Sequence, residues 1–192
     1  IILIPNNMLL SRITDYSKLS ANALCNKHVE AFEASLQKTI IRLQSEAGAV
    51  SEHTTLSPAS AKEITSSVMQ QFLTSDKSLR SIFIISEPYI FDNSDSLLVN
   101  TNPGFPIGWY AKYIMHENLG SPEHSADLQS SSSDIYDLYR AIKHDKTPKV
   151  LSLKQNADRS NTIVCMVPIF TKNKFSGVMG IDIDQKYYRE ML

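Results

Sequence analysis

Asp182, near the end of "FSGVMGIDID", is a carboxylate in a run that otherwise reads as a buried strand. Burying an unpaired carboxylate costs several kcal/mol or shifts its pKa, so Asp182 needs a cationic partner, a bound amine or solvent. It is either a ligand carboxylate or a strand-end residue capping an exit helix. Asp184, two residues on, shares its face if the strand persists, and otherwise caps "QKYYREML". Trp109, the one tryptophan, stands beside Tyr110. Such a pair forms either a stacking wall or cation–π surface worth roughly 0.5–2 kcal/mol, or ordinary core packing. Tyr89, Tyr136 and Tyr139 are further candidate walls, and Asp92 in "IFDNSDS" suits a pocket or a turn equally well.

Other chemistries find no residues to carry them. The histidines at 28, 53, 116, 124 and 144 have no metal-ligand spacing. The six glycines form no phosphate loop, and neither a nucleophile elbow nor an ordered Ser-His-Asp set can be named. No catalytic residue and no cofactor is expected, so the chain reads as a non-enzyme. Nineteen basic residues against twenty acidic ones, without a Lys/Arg-rich stretch, argue against nucleic acid. Cys25 and Cys165 lie in unlike contexts and suggest no disulfide framework.

Elements must position these side chains. Cys25, Val29, Phe32, Leu36, Ile40, Leu43, Ala47 and Val50 recur at helical spacing, and Pro is absent from Met8 to Val50. This predicts one helix of roughly 60 Å at about 1.5 Å per residue, longer than a small domain can cover. Packing on a twin in a homodimer and plain core cover both fit that stripe. A second helix is capped by Ser57 with Pro58 in its first turn, and buries Ile64, Val68, Phe72 and Leu73. "LRSIFIISEPYIF" reads as a central strand, "DNSDS" as a turn and "LLVNT" as the returning strand. "GWYAKYIMHENLG" reads as a short helix or ordered turn beginning near Trp109, and "GSPEHSADLQSSSSD" as a polar surface loop. "DIYDLYRAIKHDK" is a helix capped by Asp134, with Ile135, Leu138, Tyr139 and Ile142 inward. Three strands come next, "KVLSLKQ", "TIVCMVPIF" and "FSGVMGIDI", the last two joined at the polar turn "TKNK", then an exit helix. Short connections favour an antiparallel sheet with packed helices, an α+β fold.

With 42% hydrophobic residues, the 192-residue chain can bury a real core as one domain with a long extra element. "IILIP" is far short of the ~20 apolar residues of a membrane span. The chain opens on Ile1 rather than Met. The expectation is therefore a piece of a longer polypeptide, with "IILIP" the outer end of a membrane helix.

Four blocks, "RSIFIISEPYIFDNSDS", "GFPIGWYAKY", "DIYDLYRAIKHDKTPKVLSL" and "VPIFTKNKFSGVMGIDIDQKYY", resemble the extracytoplasmic Cache (PDC, PAS-like) sensor domains of bacterial chemoreceptors, histidine kinases and cyclase receptors. The resemblance implies a PAS-like antiparallel sheet flanked by helices behind a long N-terminal helix. It implies a division into 1–56, a long membrane-proximal stalk helix that is also the candidate dimer helix by its length; 57–184, the sensor domain; and 185–192, an exit helix towards the membrane. It also implies a periplasmic or extracellular portion of an inner-membrane signalling receptor, binding a small molecule between the sheet and the Trp109–Tyr110 segment. By the same resemblance Trp109 and Tyr110 match pocket aromatics, and Asp182 matches the strand aspartate that holds a ligand's amino group. Where amino-acid sensors carry an arginine, a tyrosine and a Pro-Tyr strand motif, this chain has Ile107, Asn102 and "KVLSLKQ". The expected ligand is thus a compact polar molecule such as an amine, with Lys112 the remaining candidate for a positive charge. The alternative is a module on the same fold that binds no small molecule and instead dimerises or contacts a periplasmic protein.

Overall fold

A computed structural model describes residues 6–53, 57–88, 90, 110–116, 132–153 and 162–184. Its elements run α1 (Asn6–His53), α2 (Pro58–Ser75), β1 (Leu79–Ser86), β2 (Tyr110–Met115), α3 (Ser132–Asp145), β3 (Lys149–Leu153), β4 (Thr162–Thr171) and β5 (Lys174–Asp184). The chain divides into two compact units, residues 1–39 and 40–191 apart from the final leucine. In the first, the described side chains of α1 are mostly exposed, Leu19, Leu24 and Val29 among them. Within the second, Ile40, Leu43, Ala47 and Val50 of the same helix are buried, so the sequence stripe is core only in its second half.

Five strands form one antiparallel sheet in the order β2-β1-β5-β4-β3, confirming the α+β expectation. The β4–β5 hairpin turns through Lys172 and Asn173, both at positive φ (51° and 63°), the two-residue geometry whose twist matches the strands. Directly paired residues share a sheet face and alternate along each strand. One face therefore carries Ser81, Phe83, Ile85, Tyr113, Val164, Met166, Val178, Gly180 and Asp182. The amphipathic α3 packs on it through Ile135, Tyr139 and Ile142. The other face carries Ile82, Ile84, Cys165, Val167, Met179 and Ile181, all buried, and α2 packs on its β1 side.

Three sequence expectations are corrected. Residues 110–115 are not a helix or turn but strand β2, paired with β1 from Ser86↔Tyr110 to Ser81↔Met115. The six-residue ladder to β1 sets this conformation and outweighs the helical propensity of Ala, Lys and Met. The buried stripe of α2 centres on Ala61, Thr65, Met69, Phe72 and Leu73, with Ile64 and Val68 only partly covered. Helix α3 begins at Ser132, placing Asp134 in its first turn, where a carboxylate favours the helix dipole, rather than at its cap. Ser57 caps α2 as expected, accepting the Ser60 N–H at 3.4 Å. The segment "LLVNT", the loop 120–131 and the exit helix 185–192 lie outside the described residues.

Candidate functional site

Two adjustments of the sheet bring one constellation together. Between Leu79 and Ser81 the β1–β5 register shifts by one residue, so Arg80 is the extra residue of a bulge. Without that shift Ser81 would oppose Ile181; with it, Ser81 opposes Asp182 and shares its face. On the neighbouring edge, β2 places Tyr113 opposite Phe83 on the same face. The two rings stack, with centroids 6.1 Å apart and planes 24° apart. Phe83 lies directly above Gly180, where a side chain's Cβ would fall 2.2 Å from the ring. Tyr113 thereby reaches across β1 to β5.

The result is a carboxylate held by two neutral hydroxyls. Ser81 Oγ donates to Asp182 Oδ2 at 2.5 Å, and the Tyr113 hydroxyl donates to the same oxygen at 2.8 Å. Ser81 is fully buried, while Asp182 and Tyr113 keep part of their surface exposed. Burial pushes the Asp182 carboxyl above the usual carboxylate range; the Ser81 and Tyr113 hydrogen bonds and the charge of Arg80 pull the other way. Burial also raises the Tyr113 phenol, with the Asp182 charge adding to it, so the hydroxyl remains a donor throughout the working pH range. Behind the sheet, burial and the Asp182 charge raise the Cys165 thiol to about 12, which makes it an inert core residue.

The raised carboxyl has a stability consequence with a definite sign. When the folded pKa exceeds the unfolded one, the native state holds the extra proton, so stability falls as pH rises through the window between them. That window starts at the ordinary aspartate range and extends upward. Asp182→Asn keeps an acceptor oxygen for both hydroxyls but cannot ionise. The expected outcome is that urea unfolding across this window shows a smaller decline with pH for the variant than for the parent. Parallel pH profiles would contradict it.

Of the other sequence candidates, Tyr139 and Tyr136 lie on α3. Tyr139 is buried in the core, packed edge-on against Phe175 at 5.7 Å, with its hydroxyl bonded to Glu87. Lys143 reaches the same Glu87 oxygen at 2.6 Å. Tyr136 is half-buried, with the Arg140 guanidinium 5.9 Å from its ring centre. Tyr110 is the first residue of β2, opposite Ser86, and its side chain is not described. Trp109, Tyr89 and Asp92 lie outside the described residues, as do Ile107 and Asn102. Strand β5 persists through Asp184, which pairs with Thr162 and shares the parity of Asp182.

Lys112 requires a correction. On a strand it takes the parity opposite to Tyr113, and its Nζ donates to Ser66 Oγ of α2 at 2.6 Å, on the far face from Asp182. It cannot serve the Asp182 side as a second charge. Tyr113 and Ser81 were missed by sequence reasoning. Neither "YAKYIM", which has no apolar–polar alternation, nor "RSIF", in which nothing marks the bulge that aims Ser81, carried a local signal for them. Among the described residues no group of His, Cys, Asp or Glu could hold a metal ion, and no helix is long and apolar enough to cross a membrane.

None of the protein-family models matches this sequence, and neither does any curated protein. Solved structures do match. The extracellular domain of the putative histidine kinase mmHK1S-Z2 is similar with a TM-score of 0.62 at 20% identity, over 81% of this chain and 56% of that one. The sensory domain of the Campylobacter jejuni chemoreceptor Tlp3, solved with isoleucine bound, is similar with a TM-score of 0.63 at 12% identity, over 96% of this chain and 64% of that one. The ligand-binding domain of the Pseudomonas aeruginosa PAO1 amino acid chemoreceptor PctC, in complex with GABA, gives a TM-score of 0.61 at 9% identity, over 92% and 65%. The chain thus spans a little over half the length of the first of these structures. A central β5, an antiparallel five-stranded sheet and the leading helix α1 together give this chain the fold of the Cache-type (PDC-like) sensor domains of chemoreceptors and histidine kinases.

Proposed function

We propose that this chain is the small-molecule-sensing domain of a membrane-anchored signalling receptor, exposed on the periplasmic or extracellular side. Asp182 receives an ammonium group of the ligand, and Trp109 and Tyr110 wall the opposite side of the pocket. The observation that carries this reading is a carboxylate on the central strand whose hydrogen bonds, among the described residues, come only from neutral hydroxyls. Such a group gains most from an added cation, because a charge-assisted hydrogen bond is about twice as strong as a neutral one. The bound isoleucine and GABA of the similar structures both carry amino groups, which supports the same chemistry. A homodimer formed along α1 belongs to this reading.

Response requires that the ligand bind two arrangements unequally, since equal binding moves nothing. Asp182 is two residues from the end of β5, where the Asp184 N–H donates to the Ser78 carbonyl at 3.1 Å. Ser78 in turn donates through its N–H and hydroxyl to Asp76, and Arg42 of α1 lies 3.7 Å from that carboxylate. A shift of β5 is therefore felt at α1.

The experiment is a thermal-shift screen of small amines, GABA and L-isoleucine included, on the parent and on Asp182→Ala. A ligand at a hundredfold over its Kd stabilises by about 2.7 kcal/mol, a readily measured rise in Tm. The variant is expected to lose that rise. An amine that stabilises both proteins equally would show that Asp182 is not its anchor.

A further inference from the structure

We infer that the Asp182 site accepts an ammonium through one oxygen and rejects a guanidinium, and that Tyr113 is the residue that sets this discrimination. The inference rests on Asp182 being the ligand carboxylate. A carboxylate offers about two lone-pair positions on each oxygen. Both hydroxyl donors fall on Oδ2, Ser81 at 2.5 Å and Tyr113 at 2.8 Å, which fills that oxygen. Among the described residues no hydrogen bond falls on Oδ1. A guanidinium binds a carboxylate best as a fork, with one N–H to each oxygen, and needs a vacancy on both. An ammonium is a compact point donor and needs only one.

The arrangement is fixed rather than adjustable. Tyr113 is clamped by its stacking on Phe83, Phe83 is seated over Gly180, and the β1–β2 pairing sets the ring's starting point. Ser81 is fully buried and aimed by the bulge at Arg80. Swinging either hydroxyl away to admit a fork would leave its donor unmatched, Ser81 within the core, and this opposes the fork. Arg80, whose positive charge also reaches Asp182, adds electrostatic resistance that acts on both cations alike.

Methylammonium and methylguanidinium isolate the two head groups. Their binding is read from the side-chain carboxyl carbon signal of Asp182 by NMR titration, on the parent, Tyr113→Phe, Ser81→Ala and Asp182→Asn. The parent is expected to prefer methylammonium by about tenfold or more. Tyr113→Phe keeps the stacked ring but opens one position on Oδ2, and is expected to bring methylguanidinium to near parity. Ser81→Ala opens the other position and should act in the same direction, which preserves the test if one variant folds poorly. Asp182→Asn, followed by backbone amide signals around β5, should bind neither. Equal binding of both cations by the parent, or an unchanged preference in Tyr113→Phe and Ser81→Ala, overturns the inference while leaving Asp182 as an anchor. Absence of a saturable shift with either cation in the parent and every variant overturns both.

Discussion

Phe83→Ala is expected to destabilise the protein by about 3–5 kcal/mol, the usual range for removing a buried aromatic ring. Phe83 is fully buried in the cluster under α3, stacks on Tyr113, and fills the space above Gly180. Gly180→Ala alone should cost about 1–3 kcal/mol, because its new Cβ would sit 2.2 Å from the Phe83 ring and force it aside. The two effects are not independent. With the ring gone, the added methyl enters the vacated volume, so Gly180→Ala in the Phe83→Ala background should be neutral or mildly stabilising. A double-mutant cycle by urea unfolding measures this, and additive losses would show that the two positions do not share the space. The same ring holds Tyr113 in place, so Phe83→Ala should also weaken the amine binding proposed for Asp182.

Gly177→Ala is the second large effect, with an expected loss of about 2–6 kcal/mol from two sources. Gly177 has φ +155°, a conformation that side-chain-bearing residues rarely adopt, and such strain costs of order 1–3 kcal/mol. Its added Cβ would also meet the Ile85 carbonyl oxygen at 2.4 Å, a backbone atom that cannot rotate away. Overpacking of that kind costs about 1–3 kcal/mol more. The position lies beside the register shift in the β4–β5 pair, where an extra residue, Ser176, is accommodated between Phe175 and Gly177. Gly48→Ala serves as the control: it lies in α1 with nothing within 4 Å of the new Cβ. There the substitution should stabilise by about 0.5–1 kcal/mol through reduced unfolded-state freedom. Chemical denaturation of both variants decides the matter; a Gly177→Ala protein as stable as its parent would remove the backbone conformation as a constraint on β5.

Much of the scaffold was legible because its signals are local. The polar turn "TKNK" between two apolar runs announces a hairpin, and Asn173 is a residue type that tolerates the positive φ which Lys172 adopts beside it. Ser57-Pro58 announces the start of α2, and the spacing of Ile135, Leu138, Tyr139 and Ile142 announces the inward face of α3. The long helix came from an uninterrupted stretch without proline. Asp182 was singled out as a charge in an apolar strand and by its match to the strand aspartate of the family that the sequence resembles. The helix-or-turn assignment failed over residues 110–115 because six residues of mixed propensity take their conformation from the partner they pair with.

By itself the sequence determined most of the helices and strands, which residues are apolar enough to be core, and that one acidic group stands out in the last described strand. Only the tertiary structure decided what surrounds that group. A one-residue bulge at Arg80 turns Ser81 towards Asp182, and pairing between strands far apart in the chain brings Tyr113 over the same oxygen while sending Lys112 to the opposite face. The reason is physical: register and face are properties of a pair of strands, and a single-residue slip, which no local pattern encodes, inverts every side chain.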